Sequence, residues 1–230
     1  MIIANIATYP AREGNRRKAL DSITPQVDTL NIALNGYSEV PQDLESLEKA
    51  NFLFPEKDLK DVGKFAFDVQ DNDDVFLCDD DIIYPENYTE RLLSLNDEIA
   101  IENVIIGLHG VTYSDYYDGV KRSGRLVRVF HHSLESNERV NQLGTGTVYA
   151  KGKQLPSLEF MLGSSGYVDI RFARHAYTRN YPMICIKREA NWLAEVKNKD
   201  ALYLSVTNQL PNEALREVQE FCGLGKLVRT

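Results

Sequence analysis

The chain is short of cysteine, of clustered histidine and of positive charge, and each shortage removes a class of protein. Three cysteines occur in 230 residues, Cys78, Cys185 and Cys222. They are far apart, odd in number and never arranged as CxxC, so neither a disulfide framework nor a thiolate zinc site is indicated. That usage fits a reducing compartment. A cytoplasmic protein is expected, free or peripheral at the inner face of a membrane. Lysine and arginine number 26 against 34 aspartates and glutamates, for a net charge of −8. A general nucleic-acid binder needs the opposite balance to displace counterions from phosphates, so no nucleic-acid partner is expected. Long apolar runs are missing too. Met1 leads into Ile2-Ile3-Ala4-Asn5-Ile6-Ala7 with no basic segment before it, which reads as neither a signal peptide nor a transmembrane segment. No repeat, low-complexity tract or Pro/Gly/Ser-rich linker divides the sequence. One domain over 1–195 is expected, with a tail over 196–230 that carries an amphipathic helix.

What is present has globular proportions, 43% hydrophobic and 26% charged, enough apolar residues for a packed core. The first half alternates strand and helix patterns. Strands are expected over Ile2–Thr8, Leu30–Asn35, Asn51–Phe54, Val75–Cys78 and Val104–Leu108, each a short apolar run. Helices are expected over Asn15–Thr24, Asp43–Lys49 and Val62–Val69, and from Pro85 to about Leu95. The second half is less regular. Arg125–His131 and Leu143–Ala150 read as strands, Asp169–Arg179 as a helix and Pro182–Ile186 as a strand. Glu213–Cys222 is amphipathic, with Asn212 as its cap and Gly223 as its end. That helix could pack on the core or on a partner subunit of a homo-oligomer. Alternating strands and helices imply an α/β fold with a Rossmann-like, mainly parallel sheet and helices on both faces. In such sheets ligands sit beyond the carboxyl ends of the strands.

The strongest chemical signal lies at one of those ends, in Phe76-Leu77-Cys78-Asp79-Asp80-Asp81-Ile82-Ile83-Tyr84-Pro85. Three adjacent carboxylates repel one another and are costly after a buried strand unless a cation neutralises them. A hard divalent ion, Mg²⁺ or Mn²⁺, takes one or two carboxylates and completes its shell with phosphate oxygens and water. Those are the needs of a site that handles a nucleoside diphosphate. A solvated acidic turn is the plain alternative.

At these residues the sequence resembles the bacterial GT-A-fold nucleotide-sugar glycosyltransferases of family 2, of the kind that builds capsule or lipopolysaccharide glycans. Asp79-Asp80-Asp81 stands where that family carries its DxD motif. Ala7-Thr8-Tyr9-Pro10-Ala11-Arg12, the following helix and Leu30–Asn35 are similar to its first nucleotide-binding unit. Asp61-Val62-Gly63-Lys64 resembles the segment before the DxD strand, and Asp169-Ile170-Arg171-Phe172-Ala173 the helix start that bears the catalytic Asp. Two positions depart from the pattern. Asn35-Gly36-Tyr37-Ser38 replaces an acidic segment, and Val168 stands where Glu often precedes the catalytic Asp.

The resemblance implies a metal-dependent, inverting transfer of a sugar from a UDP-sugar to a glycan or lipid-linked acceptor. Asp79 and Asp81 would hold Mn²⁺ or Mg²⁺, and Asp169 would be the general base. Thr8, Tyr9, Arg12, Asn35, Lys64, Asp79 and Asp80 would bind the donor, with Asp80 at the ribose rather than at the metal. His109, Gly144, Thr145, Gly146 and Trp192 are candidates for the sugar or acceptor pocket. From the residues alone, Arg12 matches phosphate geometry but also reads as a surface arginine. Gly144–Thr147 also reads as a bulged strand, Trp192 as core, and His109, His131, His132 and His175 as structural histidines. Lys187-Arg188 reads as a diphosphate contact or a solvated turn. Two other functions stay open, a nucleotidyltransferase and a non-catalytic carbohydrate- or calcium-binding module. The first normally carries a glycine-rich loop after strand one, and Thr8-Tyr9-Pro10-Ala11-Arg12 has little glycine.

Overall fold

The computed structural model describes residues 1–120, 123–196 and 209–222. Its strands are β1 (Ile2–Thr8), β2 (Thr29–Leu34), β3 (Ala50–Leu53), β4 (Asp74–Cys78), β5 (Ile82–Ile83), β6 (Ile105–Gly107) and β7 (Gly110–Tyr113). They continue with β8 (Arg125–Arg128), β9 (Glu138–Val140), β10 (Gln142–Leu143), β11 (Thr147–Lys151), β12 (Met183–Cys185) and β13 (Ala194–Glu195). The α-helices are α1 (Arg16–Ile23), α2 (Tyr88–Glu98), α3 (Leu158–Met161), α4 (Val168–Thr178) and α5 (Asn212–Phe221). A 3₁₀ helix spans Lys60–Phe65.

Eight strands form one sheet in the order β3-β2-β1-β4-β11-β6-β12-β9. β1, β2, β3 and β4 run parallel, β6 and β12 run parallel to each other, and β11 is antiparallel to both β4 and β6. The expected α/β architecture with a mainly parallel sheet is therefore observed. Its two faces are covered by different helices. In β4, Phe76 and Cys78 join Leu20 and Ile23 of α1 and Tyr88 and Leu92 of α2. Val75 and Leu77, pointing the other way, join Met161, Phe172, Ala176 and, from α5, Ala214, Val218 and Phe221. This period of two is the strand geometry that the apolar run requires when both faces are buried.

One polar row crosses the second face. Asn5, Asn31 and Asn51 lie in register on β1, β2 and β3. Asn31 Nδ2 donates to Asn5 Oδ1 at 2.9 Å, and Asn51 Nδ2 to Asn31 Oδ1 at 3.1 Å. Asn5 Nδ2 donates to the Lys64 carbonyl at 3.0 Å. The buried amides of Asn5 and Asn31 are tolerated because each finds a partner, and Asn51 ends the row at the exposed edge. The row ties the 3₁₀ helix to the sheet.

Several local expectations need correction. Residues 43–49 form turns rather than a helix. Leu44 and Leu47 are buried there, but Asp43 is drawn to Arg16, whose Nη2 donates to Asp43 Oδ1 at 2.6 Å. The expected helix over Val62–Val69 is the shorter 3₁₀ segment Lys60–Phe65. Gly63 explains the close packing there: a Cβ would lie 2.8 Å from that of Ala33 and 3.3 Å from that of Ala7. The strand over Leu143–Ala150 is split into β10 and β11 by the loop Gly144–Gly146. The strand over Arg125–His131 ends at Arg128. The helix expected from Pro85 begins at Tyr88, with Asn87 at its N-cap. Asn212 is the first residue of α5, after Pro211, and the proposed end at Gly223 lies outside the described residues. Among the described residues no helix is long and apolar enough to cross a membrane.

Candidate active site

The carboxyl ends of β1, β2 and β4 converge and deliver Thr8, Asn35 and Asp79 to one rim of the sheet. Each strand stops for a local reason: β1 at Pro10, which cannot continue a ladder, β2 at Gly36 with φ +75°, and β4 at the acidic triplet.

The triplet is divided between two cations. Lys64 Nζ donates to Asp79 Oδ1, and also to the Thr145 carbonyl at 3.3 Å. Arg12 lies against the other two, with Nε 3.5 Å from Asp80 Oδ1 and Nη1 3.0 Å from Asp81 Oδ2. The attraction is one of charge, because neither Arg12 nitrogen is in hydrogen-bonding geometry. Burial alone would lower the pKa of Arg12, but Asp80 and then Asp81 outweigh it, so the guanidinium is held charged. Lys64, only 3% exposed, follows the same logic. Burial works against its ammonium, Asp79 outweighs burial, and the net shift is upward.

The three carboxyls differ in environment. Asp80 is buried and accepts from Thr8 Oγ1 at 2.6 Å; burial raises its pKa while Arg12 opposes. Asp81 is pushed up to about 6, first by burial and then by the nearby charge of Asp79. Asp79 has the most exposed side chain, at 40%. Its neighbour across the cleft is Gly146, where an added Cβ would fall 2.0 Å from Asp79 Oδ2. Only glycine permits that approach. Tyr84 fastens the same corner: its hydroxyl accepts from the Asp79 amide at 2.8 Å and donates to the Gly146 carbonyl at 2.8 Å.

Asp169 enters from the opposite side, in the first turn of α4. Its Oδ1 accepts from the Thr145 amide at 2.8 Å and from Thr145 Oγ1 at 2.7 Å. Asp61 completes the group. Both of its oxygens accept from the Gly166 amide, at 3.2 and 3.1 Å, and burial raises its pKa. His109 stands beside this cluster, partly buried. Burial lowers its pKa, with Asp169 working against that shift.

The structure thus brings Thr8, Arg12, Lys64, Asp79, Asp80, Asp81, Gly144, Thr145, Gly146 and Asp169 into one constellation, with Tyr9 beside Arg12 (5.5 Å from ring centroid to guanidinium carbon). Thr8 and Asp80 are engaged with each other. Asn35 is engaged structurally, donating to the Lys60 carbonyl at 3.0 Å and accepting from the Leu59 amide at 2.9 Å. Trp192 packs on α2, with Arg91 over its ring at 4.2 Å and Tyr88 at 5.9 Å. Arg188 is buried and donates to the Val129 and Phe130 carbonyls at 2.7 and 3.1 Å, which makes it a brace for that loop. Tyr84 and Asp61 are the members that residue patterns did not single out. Both stand inside segments quoted for other residues, Asp61 before Gly63-Lys64 and Tyr84 after the acidic triplet.

A mixed α/β sheet with an acidic cluster at the carboxyl ends of its first strands is the class that fold and site define. No family model matches the sequence, and no curated protein matches it. Solved structures do resemble the fold. TarS of S. aureus, residues 1–349 in complex with UDP-GlcNAc, superposes with a TM-score of 0.56 at 12% identity over 90% of this chain. A second structure of TarS residues 1–349 gives 0.50 at 12% identity over 82% of this chain. A mycobacterial protein gives 0.56 at 15% identity over 97% of this chain and 75% of its own. This chain spans 61% of the liganded TarS structure. At such identities the likeness is one of fold.

Proposed function

We propose that this protein is a metal-dependent, inverting glycosyltransferase that moves a sugar from a UDP-sugar to a hydroxyl of a glycan or lipid-linked acceptor, in the manner of the family 2 enzymes of bacterial polysaccharide synthesis. The observation that carries the proposal is the charge of the cluster. Asp61, Asp79, Asp80, Asp81 and Asp169 face Arg12 and Lys64, an excess of negative charge at the end of a sheet where ligands bind.

The donor set fits a hard divalent ion. Among the described residues no three His, Cys, Asp or Glu side chains form a closed metal cage, and a nucleotide-diphosphate site needs none, because phosphate and water complete the shell. Within the triplet Asp79 and Asp81 are the more exposed carboxylates, and Asp81 is raised first by burial and then by the charge of Asp79. As the more exposed pair, they are the residues that would hold Mn²⁺ or Mg²⁺, which when bound would supply positive charge at the diphosphate leaving group. Arg12 and Lys64 keep the acidic loop in place before substrate arrives. Asp169 presents Oδ2 to the acceptor, since Oδ1 is held by Thr145. That oxygen takes the proton from the acceptor hydroxyl as its oxygen bonds to the anomeric carbon. The bond from that carbon to the phosphate oxygen breaks, and its electron pair leaves with UDP.

UDP-GlcNAc, the ligand in the TarS complex, is the first donor to test. Calorimetry should show UDP and UDP-GlcNAc binding in Mn²⁺ and at least about tenfold weaker binding in EDTA. Equal affinity in EDTA would remove the metal from the reading. No binding of any UDP-sugar would remove the donor.

A further inference from the structure

The geometry points to Asp61 as a positioning residue that sets where Asp169 meets the substrate. This inference rests on the transfer reading above. Asp61 and Lys64 are three apart in a 3₁₀ helix, so their side chains leave from one side of it. Lys64 reaches the Thr145 carbonyl, and Thr145 holds Asp169 by its amide and hydroxyl. Asp61 holds the Gly166 amide with both oxygens. Gly166 lies two residues before α4 and three before Asp169. The contacts close a circuit: the 3₁₀ helix grips the Gly144–Gly146 loop through Lys64 and the start of α4 through Asp61, and the loop and α4 grip each other through Thr145 and Asp169.

The turn held by Asp61 needs holding. Gly163 and Gly166 have φ of +83° and +82°, and a Cβ at either would meet nothing within 4 Å. The turn is therefore open on its outer side. Tyr167 and Arg171 fasten its other end, the Tyr167 hydroxyl donating to the Gly163 carbonyl at 2.9 Å and Arg171 Nη1 to the Phe160 carbonyl at 2.8 Å. Asp61 is the contact from the donor side of the site. The arrangement is also costly, since burial first and the like charge of Asp169 after it raise the pKa of Asp61, while Lys64 and the Gly166 amide work the other way. A carboxylate placed beside a general base, and half-buried, destabilises the cluster unless it holds something in position.

The test uses the full chain with Asp61→Ala and Asp61→Asn; the asparagine keeps one acceptor oxygen for Gly166. Amide hydrogen exchange in peptides over 144–147 and 163–169 should quicken by about tenfold or more in Asp61→Ala, with β1 and β4 unchanged, and stay near wild type in Asp61→Asn. Consumption of UDP-GlcNAc should lose about tenfold to a hundredfold in kcat in Asp61→Ala, the scale of a small misplacement, while donor KM stays within about threefold. Asp61→Asn should recover most of that loss. Unchanged exchange in Asp61→Ala, a loss carried in KM, or an Asp61→Asn variant as impaired as Asp61→Ala overturns the assignment. A wild-type protein that binds no UDP-sugar would sink the transfer reading instead, and the exchange measurement would still decide whether Asp61 clamps α4.

Discussion

Lys64 holds Asp79: the ammonium of a buried lysine donates to the first carboxylate of the acidic triplet and, at 3.3 Å, to the Thr145 carbonyl. The pairing sets Lys64 apart from a solvated surface lysine. It fixes the side chain that opens the triplet and joins it to the loop that carries Thr145. Its own carbonyl is in turn fixed by Asn5, so the lysine is held by backbone and side chain together.

Gly146→Ala tests how closely that corner is built. The new methyl group would displace the Asp79 carboxylate, because the flanking backbone is fastened by Tyr84. UDP affinity in Mn²⁺ should fall by at least about tenfold, roughly 1.4 kcal/mol, with the circular dichroism spectrum unchanged. Wild-type affinity in this variant would show that Asp79 moves freely and that its placement is unimportant.

Asp81→Asn removes one ligand charge at nearly constant size. Calorimetry in Mn²⁺ should show UDP binding weakened by about an order of magnitude or more, and the difference between Mn²⁺ and EDTA should largely vanish. A variant that retains the full metal effect would take Asp81 out of the metal site.

Asp169→Asn keeps an oxygen for the Thr145 amide and hydroxyl but loses the base. Transfer kcat should drop by about 10²–10⁴-fold while UDP affinity stays within a few-fold. Near-normal kcat, or a product with the donor's anomeric configuration retained, would exclude Asp169 from proton transfer.

His175 should make the fold acid-sensitive. Its ring is buried on α4 against Phe160 (5.5 Å) and Tyr181 (6.2 Å), and Nε2 has no hydrogen-bond partner. Burial and then Arg179 lower its pKa, against a hydrogen bond with the Gln154 backbone. Above about pH 6.5, the unfolded value, both states hold a neutral ring and the histidine costs nothing. As pH falls through that value the unfolded chain takes up a proton that the folded chain resists, so stability declines until the lower folded pKa is passed. Melting temperatures at pH 7.5 and 5.5 should therefore differ less in His175→Phe than in wild type. Identical differences in the two proteins would refute the mechanism.

Much of the framework was legible in residue order. β1, β2 and β4 fall within a residue or so of the expected strands, because each is an apolar run with a breaker at its end. α4 begins at Val168, one residue before the expected start. The acidic triplet was legible as chemistry because three carboxylates after a buried strand need an explanation. What escaped was long-range. Leu44 and Leu47 have helical spacing, yet the Arg16–Asp43 pair holds that segment in turns. Nothing local announces that Gly166 pairs with a carboxylate 105 residues earlier, or that Asn35 serves the turn at 59–60. The pattern marked Lys64 as a candidate site residue. Its burial could not be read that way, because lysine is almost always solvated.

The contact between Gly146 and Asp79 makes one position sterically dependent on the other. One added carbon at residue 146 would occupy the space of the carboxylate, so a lineage that keeps the aspartate in this pose must keep the glycine. A lineage that trades the glycine for a side chain must have rebuilt the loop or given up the pose. Among proteins that share the fold at 12–15% identity, the pair is a two-letter key, able to sort chains that keep this arrangement from chains that share only the scaffold.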